Sequence, residues 1–558
     1  MKTGLRFLLA MLLMLAVFVL TNLLFPPVTP DPVPEPAGEA AEPRAGEPGV
    51  RDEPAVDRPF EAPQEDDPEQ LVTVETPLFH LTFSNRGARV RSVRLPGYES
   101  FQREGAVELV PEGVEGVLGA TWLYGGGADS VALERYPYTV SPAGGFRLGE
   151  GSGPRTLTFR YDYPEGQFFS EIRYTFTADS YVVGIEGELP AVERSALFLD
   201  LGPGLAINEL QESEDWRAMA YLGNHAEDGT RSRPLSRVDE PEVVEGPLRW
   251  AAVKSKYFVQ VILPGDGISA GDYLTAMWAQ PLPVEGRASV QVASPVGDDG
   301  SYSYRAYLGP IERERLVAIG NDLEEVNPYG WRIFRPIIRP LVAVILWLVR
   351  VLHENLLLGY GWVLIVIGVL MRVLLWPLQR KAMLAQVNMM SVQPLAQEIK
   401  EKYPNDPQRM QQETMKLYRE HGVNPLAGCV PMLIPMPMLI ALFLVFRTTI
   451  ELRGESFMWL PDLSAADPFY ILPLSLGASM FLLQFIMYKT SPAQGMANQQ
   501  MKMMMYIMPV FMTVLFWRWA SGLNLYYVTV NLATIPQQVL IARERKKMQA
   551  AGPVKRAR

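Results

Sequence analysis

Long apolar stretches recur through the second half of the chain and dominate its hydrophobicity pattern. A helix that crosses a bilayer needs roughly 20 mostly apolar residues. The stretches that approach this length are Gly359–Pro377, Leu426–Phe446, Tyr470–Tyr488, Met503–Trp517 and Leu523–Ile541. We therefore predict five transmembrane helices in this half of the chain.

Arg372 is the one charged residue within these five stretches. An arginine at membrane depth costs between ~2.5 and ~17 kcal/mol, depending on the scale. Two interpretations are open. Arg372 lies roughly 7 Å of helical rise before the end of its stretch, so its side chain can extend to the headgroups. Alternatively, it lies in a hydrated functional pocket.

The first 70 residues predict an anchor followed by a tether. Residues 1–25 begin with Lys2 and Arg6 and continue as a hydrophobic run from Phe7, and no Ala-x-Ala cleavage site follows. We predict an uncleaved transmembrane anchor with a cytoplasmic N-terminus. Residues 26–70 are rich in Pro, Glu, Asp and Ala, a composition that predicts a disordered segment.

Residues 71–328 show the alternation that is typical of strands. The clearest examples are Leu78–Phe83, Thr156–Tyr163, Phe168–Phe176, Tyr181–Leu189 and Ser301–Leu308. They predict one all-β domain of the sandwich type. Its carboxylates form no catalytic motif, and the glycines at 125–127 lack the strand-to-helix context of a phosphate-binding loop.

Residues 329–358 predict an amphipathic helix that lies in the headgroup plane. Four arginines and two tryptophans interrupt an apolar sequence there: Arg332, Arg335, Arg339, Arg350, Trp331 and Trp347. This pattern is typical of interfacial helices. The alternative is an additional span from Pro340, which would reverse the side of every later loop.

Loop charges favour the interfacial interpretation. With the N-terminus inside and the β-domain outside, the basic loop 378–425 and the basic tail 542–558 fall in the cytoplasm, and the acidic loop Arg447–Phe469 falls outside. This arrangement follows the positive-inside rule. It predicts six transmembrane helices, with both termini in the cytoplasm.

The cytoplasmic segment 379–422 is long and helix-prone. It predicts a hairpin of two helices, Arg380–Lys402 and Pro407–Gly422, because Pro407 suits a first helical turn. The predicted membrane core thus comprises residues 359–541 with this hairpin inserted.

The net charge of −10 hides two different parts. Residues 26–330 contain 25 basic and 50 acidic residues, whereas residues 331–558 contain 24 basic and 11 acidic ones. The basic part suits contact with anionic lipid or ribosomal RNA, or simply a cytoplasmic position. A single cysteine, Cys429, and four histidines without ligand spacing predict neither a disulfide nor a metal site, and we expect no cofactor.

Two compositional features point to hydrophobic and varied partners. Twenty of the 25 methionines follow residue 331, and flexible thioethers suit surfaces that accommodate different apolar partners. The last apolar stretch also contains Asn524, Tyr526, Tyr527, Thr529, Asn531, Thr534, Gln537 and Gln538. Hydrogen bonds between helices account for some of these polar residues. A helix surface that is in contact with water accounts for all eight.

Enzyme and transporter functions find little support. Hydrolysis within a membrane needs paired aspartates, a serine with a base, or a metal, and the five stretches lack Asp, Glu and His. A secondary transporter usually shows related halves and coupling carboxylates, and neither is visible.

Four collinear motifs resemble the YidC family of membrane protein insertases of Gram-negative bacteria. They are VLMRVLLWPL around Arg372, KLYREHGVNPLAGCVPMLIPMP from Lys416, DLSAADPFYILPL from Asp462 and MPVFMTVLFWRWASGLNLYYVTVNLATIPQQ from Met508. The resemblance implies a multi-domain inner-membrane protein with a polytopic helical core, a periplasmic β-supersandwich and a cytoplasmic hairpin. It also implies a hydrophilic groove that is open to the cytoplasm and the lipid but closed outside.

The resemblance further implies an insertase and chaperone for nascent membrane proteins that acts alone or with the Sec translocon. The core is expected to be monomeric. The basic loops and tail suggest the ribosome and anionic lipids as further partners.

The groove and the path of the client follow from the same resemblance. Groove residues are then Arg372, Asn524, Tyr526, Tyr527, Asn531, Thr534 and Gln538. An apolar slide for the client comprises Met436, Met438, Leu439, Met508 and Met512. Where relatives often have a groove glutamine this chain has Pro435, for which Asn524 is expected to compensate.

Overall fold

The fold is taken from a computed structural model of the chain. It describes residues 68–127, 129–162, 169–265, 273–284, 287–327, 335–380, 392, 395–399, 401–404, 406–422, 435–490 and 496–550. The predicted anchor and all but the last three residues of the predicted tether lie outside the described residues. The described chain forms two compact units, one up to Asn327 and one from Arg335 onward.

The first unit consists mainly of strands. In chain order they are β1 Leu71–Glu75, β2 His80–Ser84, β3 Val90–Glu99, β4 Ala106–Glu108, β5 Ala120–Tyr124, β6 Asp129–Ala132, β7 Thr139–Ser141, β8 Phe146–Arg147, β9 Arg155–Asp162, β10 Phe169–Phe176, β11 Val182–Glu188, β12 Ala196–Gly202, β13 Ala220–His225, β14 Gly229–Pro234, β15 Glu242–Lys254, β16 Phe258–Pro264, β17 Leu274–Pro281, β18 Ala288–Pro295 and β19 Ser301–Pro310. Two short helices accompany them, α1 Glu212–Ala218 and α2 Arg313–Ile319.

The strands form two sheets. The smaller has the order β4-β3-β2-β1-β8, in which β1 and β8 are parallel. The larger has fourteen strands. Twelve follow the path β6-β5-β12-β18-β17-β15-β16-β19-β11-β10-β9-β7, and the other two are β13, which pairs with β15, and β14, which pairs with β13. The predicted all-β domain is confirmed, and the five strand-like stretches of the sequence correspond to β2, β9, β10, β11 and β19.

Aromatic side chains join the two sheets. Phe83 of β2 contacts Tyr174 of β10, with ring centroids 4.8 Å apart, and Phe159 of β9 at 5.7 Å. Along β10 every second residue is buried, as expected for a strand with one face on a core. The contacts between the sheets therefore form a sandwich core.

The second unit is helical. Its described helices are α3 Arg335–Leu356, α4 Tyr360–Leu374, α5 Pro407–Glu420, α6 Pro435–Thr448, α7 Ile471–Thr490, α8 Met496–Leu515 and α9 Ser521–Ala550. The predicted second hairpin helix corresponds to α5, whose N-cap Asp406 accepts a hydrogen bond from the Arg409 backbone N–H over 3.0 Å. Most of the predicted first hairpin helix, Arg380–Lys402, lies outside the described residues.

Helix α9 is central to this unit. It packs against α4 and against α7, while α8 packs on α7, and α3 packs on α6 and α4. The amphipathic pattern of α3 is visible in its burial, because Ile338, Val342, Ile345 and Val349 are buried at alternating spacings of four and three residues. Trp347 on the same helix is 59% exposed.

The described part of the chain contains one helix, Ile471–Lys489, that is both long and apolar enough to cross a membrane by itself. Tyr360–Leu374 and Lys502–Leu515 are shorter apolar helices. The predicted count of six transmembrane helices and the position of α3 at a membrane surface stay predictions.

The loop between α6 and α7 is tied to the start of α9. Ser521 donates its hydroxyl hydrogen to the Asp462 carbonyl over 2.9 Å, and the Gly522 N–H donates to the Leu463 carbonyl over 2.9 Å. Asp467 caps α7, since its carboxylate accepts the Leu472 N–H over 2.7 Å. These bonds hold one end of the helical unit together.

Candidate functional site

Arg372 lies in the last turn of α4 and is half-buried. A cation is favoured at this end of a helix by the helix dipole. Among the described residues no carboxylate forms an ion pair with Arg372, and its buried Nε has no hydrogen-bond partner. The guanidinium is therefore a charge that the described protein leaves without a counter-ion.

Helices α4 and α9 approach closely beside this arginine. A Cβ at Gly368, one turn before Arg372, would lie 3.2 Å from Thr529 Cγ2 and 3.5 Å from Tyr526 Cδ2. One turn further along α4, Gln537 Nε2 donates to the backbone carbonyl of Arg372 over 3.4 Å. Tyr526 and Gln537 are thus on the face of α9 that meets α4.

The other polar residues of α9 occupy a different face. Asn524, Tyr527, Asn531, Thr534 and Gln538 follow one another at alternating spacings of three and four residues, which places them on one stripe of the helix. Asn531 Nδ2 donates to the Ser479 hydroxyl of α7 over 3.1 Å. The stripe therefore runs on the α7 side of α9.

The predicted groove residues are consequently divided between two faces of α9. The structure brings Tyr526 beside α4 and Arg372, and it directs the stripe that contains Asn531 towards α7. One helix thus contributes polar groups to two separate helix contacts.

Three residues of these contacts were not among the predicted site residues, namely Gln537, Thr529 and Ser479. Tyr526, Thr529, Ala533 and Gln537 follow one another at spacings of three, four and four residues. Because these spacings are close to whole helical turns, they are a sequence signal that relates Thr529 and Gln537 to Tyr526. No sequence signal relates Ser479 to Asn531.

Asn524 is enclosed by the protein and forms hydrogen bonds within it. It is fully buried, and its Nδ2 donates to the carbonyls of Phe516 over 3.2 Å and Trp519 over 3.4 Å. The amide therefore satisfies carbonyls at the turn that joins α8 to α9. This donor is already used, whereas the buried Oδ1 of Asn524 has no hydrogen-bond partner among the described residues, and the expectation that Asn524 compensates for Pro435 stays a prediction.

The predicted apolar slide is only partly at the surface. Met438 of α6 is buried in the helical core, which does not fit contact with a client along an open face. Leu439 of α6 and Met508 and Met512 of α8 are half-buried. The side chain of Met436 lies outside the described residues.

Comparisons with known proteins agree over both units. Residues 71–344 match the family model described as the YidC periplasmic domain, and residues 351–549 match the model described as 60Kd inner membrane protein. The chain is 30% identical over 495 residues to the membrane protein insertase YidC of Chlorobium limicola, covering 85% of this chain and 82% of that one. The corresponding protein of Prosthecochloris aestuarii is 31% identical over 497 residues, with coverages of 85% and 82%.

A solved structure of an active YidC insertase with its first transmembrane domain resolved is 19% identical, with a TM-score of 0.33. The comparison covers 85% of this chain and 94% of that one. On the strength of the family models and the sequence identities, the chain belongs to the YidC family of membrane protein insertases.

Proposed function

We propose that this protein inserts segments of nascent membrane proteins into the inner membrane through a polar pocket at Arg372. The family is one of insertases, so the protein is not an enzyme. The pocket lowers a physical barrier instead, namely the cost of bringing polar atoms of a client into the hydrocarbon region.

The observation that carries the proposal is the missing counter-ion of Arg372. The arginine is half-buried on α4 where this helix meets α9, and it has no carboxylate partner among the described residues. A buried charge without a counter-ion is costly, and an acidic tail of a client would supply the missing partner. Tyr526, which lies on the face of α9 that meets α4, would give the tail a further hydrogen-bonding group.

The hydrophobic segment of the client would then leave sideways. Leu439, Met508 and Met512 are half-buried, so each offers some apolar surface to such a segment. Transfer into lipid would be driven by burial at ~25 cal/mol per Å². The chain has no GxxxxGK[ST] nucleotide motif, which supports partitioning, the membrane potential or protein synthesis as the source of energy.

The membrane topology that we propose follows from the charges of the loops and from the bounds of the helices. The β-domain lies in the periplasm and both termini lie in the cytoplasm, with α5 as one arm of a cytoplasmic hairpin. The bonds from Ser521 and Gly522 to the α6–α7 loop support closure of the periplasmic end. The basic loops and tail suit contact with anionic lipid or the ribosome, and cooperation with the Sec translocon is expected from the family.

Client tails of different charge test the role of Arg372. Insertion of one client with an acidic tail and one with a neutral tail would be measured for wild type, Arg372→Ala and Arg372→Glu. We expect Arg372→Ala to reduce insertion of the acidic-tail client, and Arg372→Glu to reduce it further by repulsion. Arg518→Ala, which removes an exposed arginine elsewhere, is the matched control.

Equal insertion of both clients by all variants would remove Arg372 from the mechanism. A cysteine-labelling scan through residues 359–376 and 523–541, in a chain whose Cys429 is replaced, measures water access to the same region. Labelling of positions around Arg372 is expected from the cytoplasmic side.

A further inference from the structure

Two buried polar atoms without hydrogen-bond partners belong to residues that already touch. Arg372 Nε is a donor and Gln537 Oε1 is an acceptor, and neither has a partner among the described residues. The same two residues are joined by the bond from Gln537 Nε2 to the Arg372 carbonyl. Since a buried donor or acceptor without a partner is unfavourable, pairing these two atoms would be favourable.

We propose that Gln537 is a positioning residue for Arg372. Its amide would hold both parts of the arginine: Nε2 donates to the backbone carbonyl, and a rotation of the two side chains would let Oε1 accept from Nε–H. The inference rests on the proposed function of Arg372.

This pairing would orient the guanidinium. With Nε engaged by Gln537, the two Nη groups are left as the donors that meet a client carboxylate. Two parallel N–H donors match a carboxylate geometrically. A fixed fork also loses less conformational entropy on binding than a free one. Gln537 would thus raise the preference for acidic tails without contacting the client.

A purely structural role for Gln537 makes a different prediction. The bond to the Arg372 carbonyl joins α9 to α4 whatever side chain is present at position 372, because it involves only the backbone of that residue. A side chain that positions the guanidinium loses this role when the guanidinium is absent. A double-mutant cycle separates the two roles.

The cycle uses Gln537→Met and Arg372→Lys, alone and together, in the full chain. Methionine preserves length and apolar volume without the amide's hydrogen bonds, and lysine retains the charge but lacks the planar fork. Insertion of the acidic-tail and neutral-tail clients is measured at matched protein levels, and the ratio between them is compared. We expect Gln537→Met to lower this ratio about threefold or more in the wild-type background and to have little effect in the Arg372→Lys background.

Gln484→Met is the matched control, since it makes the same substitution at a half-buried glutamine of α7. Its effect on the ratio should be the same in the wild-type and Arg372→Lys backgrounds. Equal losses from Gln537→Met in both backgrounds would overturn the proposal in favour of a structural bond, and no loss in either would also overturn it. If Arg372→Lys and Arg372→Ala both leave insertion of the acidic-tail client unchanged, the proposed function of Arg372 fails instead.

Discussion

Asn531 of α9 donates a hydrogen bond to the Ser479 hydroxyl of α7 over 3.1 Å, and Ser479 in turn donates to the Leu476 carbonyl over 2.8 Å. The bond lies on the face of α9 that does not meet α4. The bond connects α9, which meets α4 beside Arg372, to α7, which packs on another face of α9. Asn531 thus has a packing role that the sequence did not distinguish from a role in a groove.

Ser479→Ala is expected to destabilise the helical unit without changing the choice of client. Interhelical hydrogen bonds of this kind are worth about 0.6–2 kcal/mol. Thermal unfolding in detergent should therefore shift downward, while the ratio of acidic-tail to neutral-tail insertion stays constant. A change in that ratio would instead place Ser479 and Asn531 in the client pathway.

Gly477→Ala tests the close contact between α7 and α8. A Cβ at position 477 would overlap the Thr513 hydroxyl, which donates to the Pro509 carbonyl over 2.9 Å. Overpacking of this kind typically costs about 1–3 kcal/mol. We expect a lower unfolding temperature, and partial rescue when Thr513→Ala removes the obstructing oxygen. Additive losses in the double variant would contradict this contact.

Asp467→Ala should weaken the N-terminus of α7. The carboxylate accepts hydrogen bonds from the N–H groups of Phe469 over 3.0 Å and Leu472 over 2.7 Å. Loss of such a cap costs about 0.5–2 kcal/mol. Asp467→Asn retains one acceptor oxygen and should show an intermediate loss in thermal unfolding. Identical stability of the alanine variant and wild type would show that the cap contributes nothing.

Asp200 of β12 is expected to make the stability of the β-domain depend on pH. Burial raises the pKa of this carboxyl, and hydrogen bonds from Gly202 and Ser289 offset only part of that effect. Because the folded pKa lies above the unfolded value of about 3.9, ionisation disfavours the fold. The contribution of Asp200 to stability should fall as pH rises from the unfolded pKa through the folded one, and stay constant above it.

The comparison with Asp200→Asn measures this effect. We expect the wild type to lose stability relative to the asparagine variant as pH rises through that window, in calorimetry of the full chain. Parallel pH profiles for the two proteins would contradict the raised pKa.

Local patterns account for much of what could be predicted. The alternation in β10 reflects a strand with one face on the core, and the spacing of Ile338, Val342, Ile345 and Val349 reflects a helix with one buried side. Both periods are properties of adjacent residues, so they are visible in a single chain. The proline at 407 likewise marked the first turn of α5.

Contacts between distant residues could not be predicted in this way. Gln537 and Arg372 are 165 positions apart, and Ser479 carries no signal that relates it to Asn531. Asn524 is predicted to line a groove, and only the structure shows that its amide nitrogen donates to carbonyls of the turn before α9. Polarity alone does not reveal whether a side chain meets water, a client or a backbone carbonyl.

The sequence by itself determined the fold classes of the two parts, the isolation of Arg372 among apolar residues and the resemblance to an insertase family. Only the tertiary structure decided which polar residues of α9 meet α4 and which meet α7, and that Met438 belongs to the core. The physical reason is that helical periodicity defines the faces of a helix relative to one another. The identity of the neighbour that covers each face depends on packing among helices that are far apart in the chain.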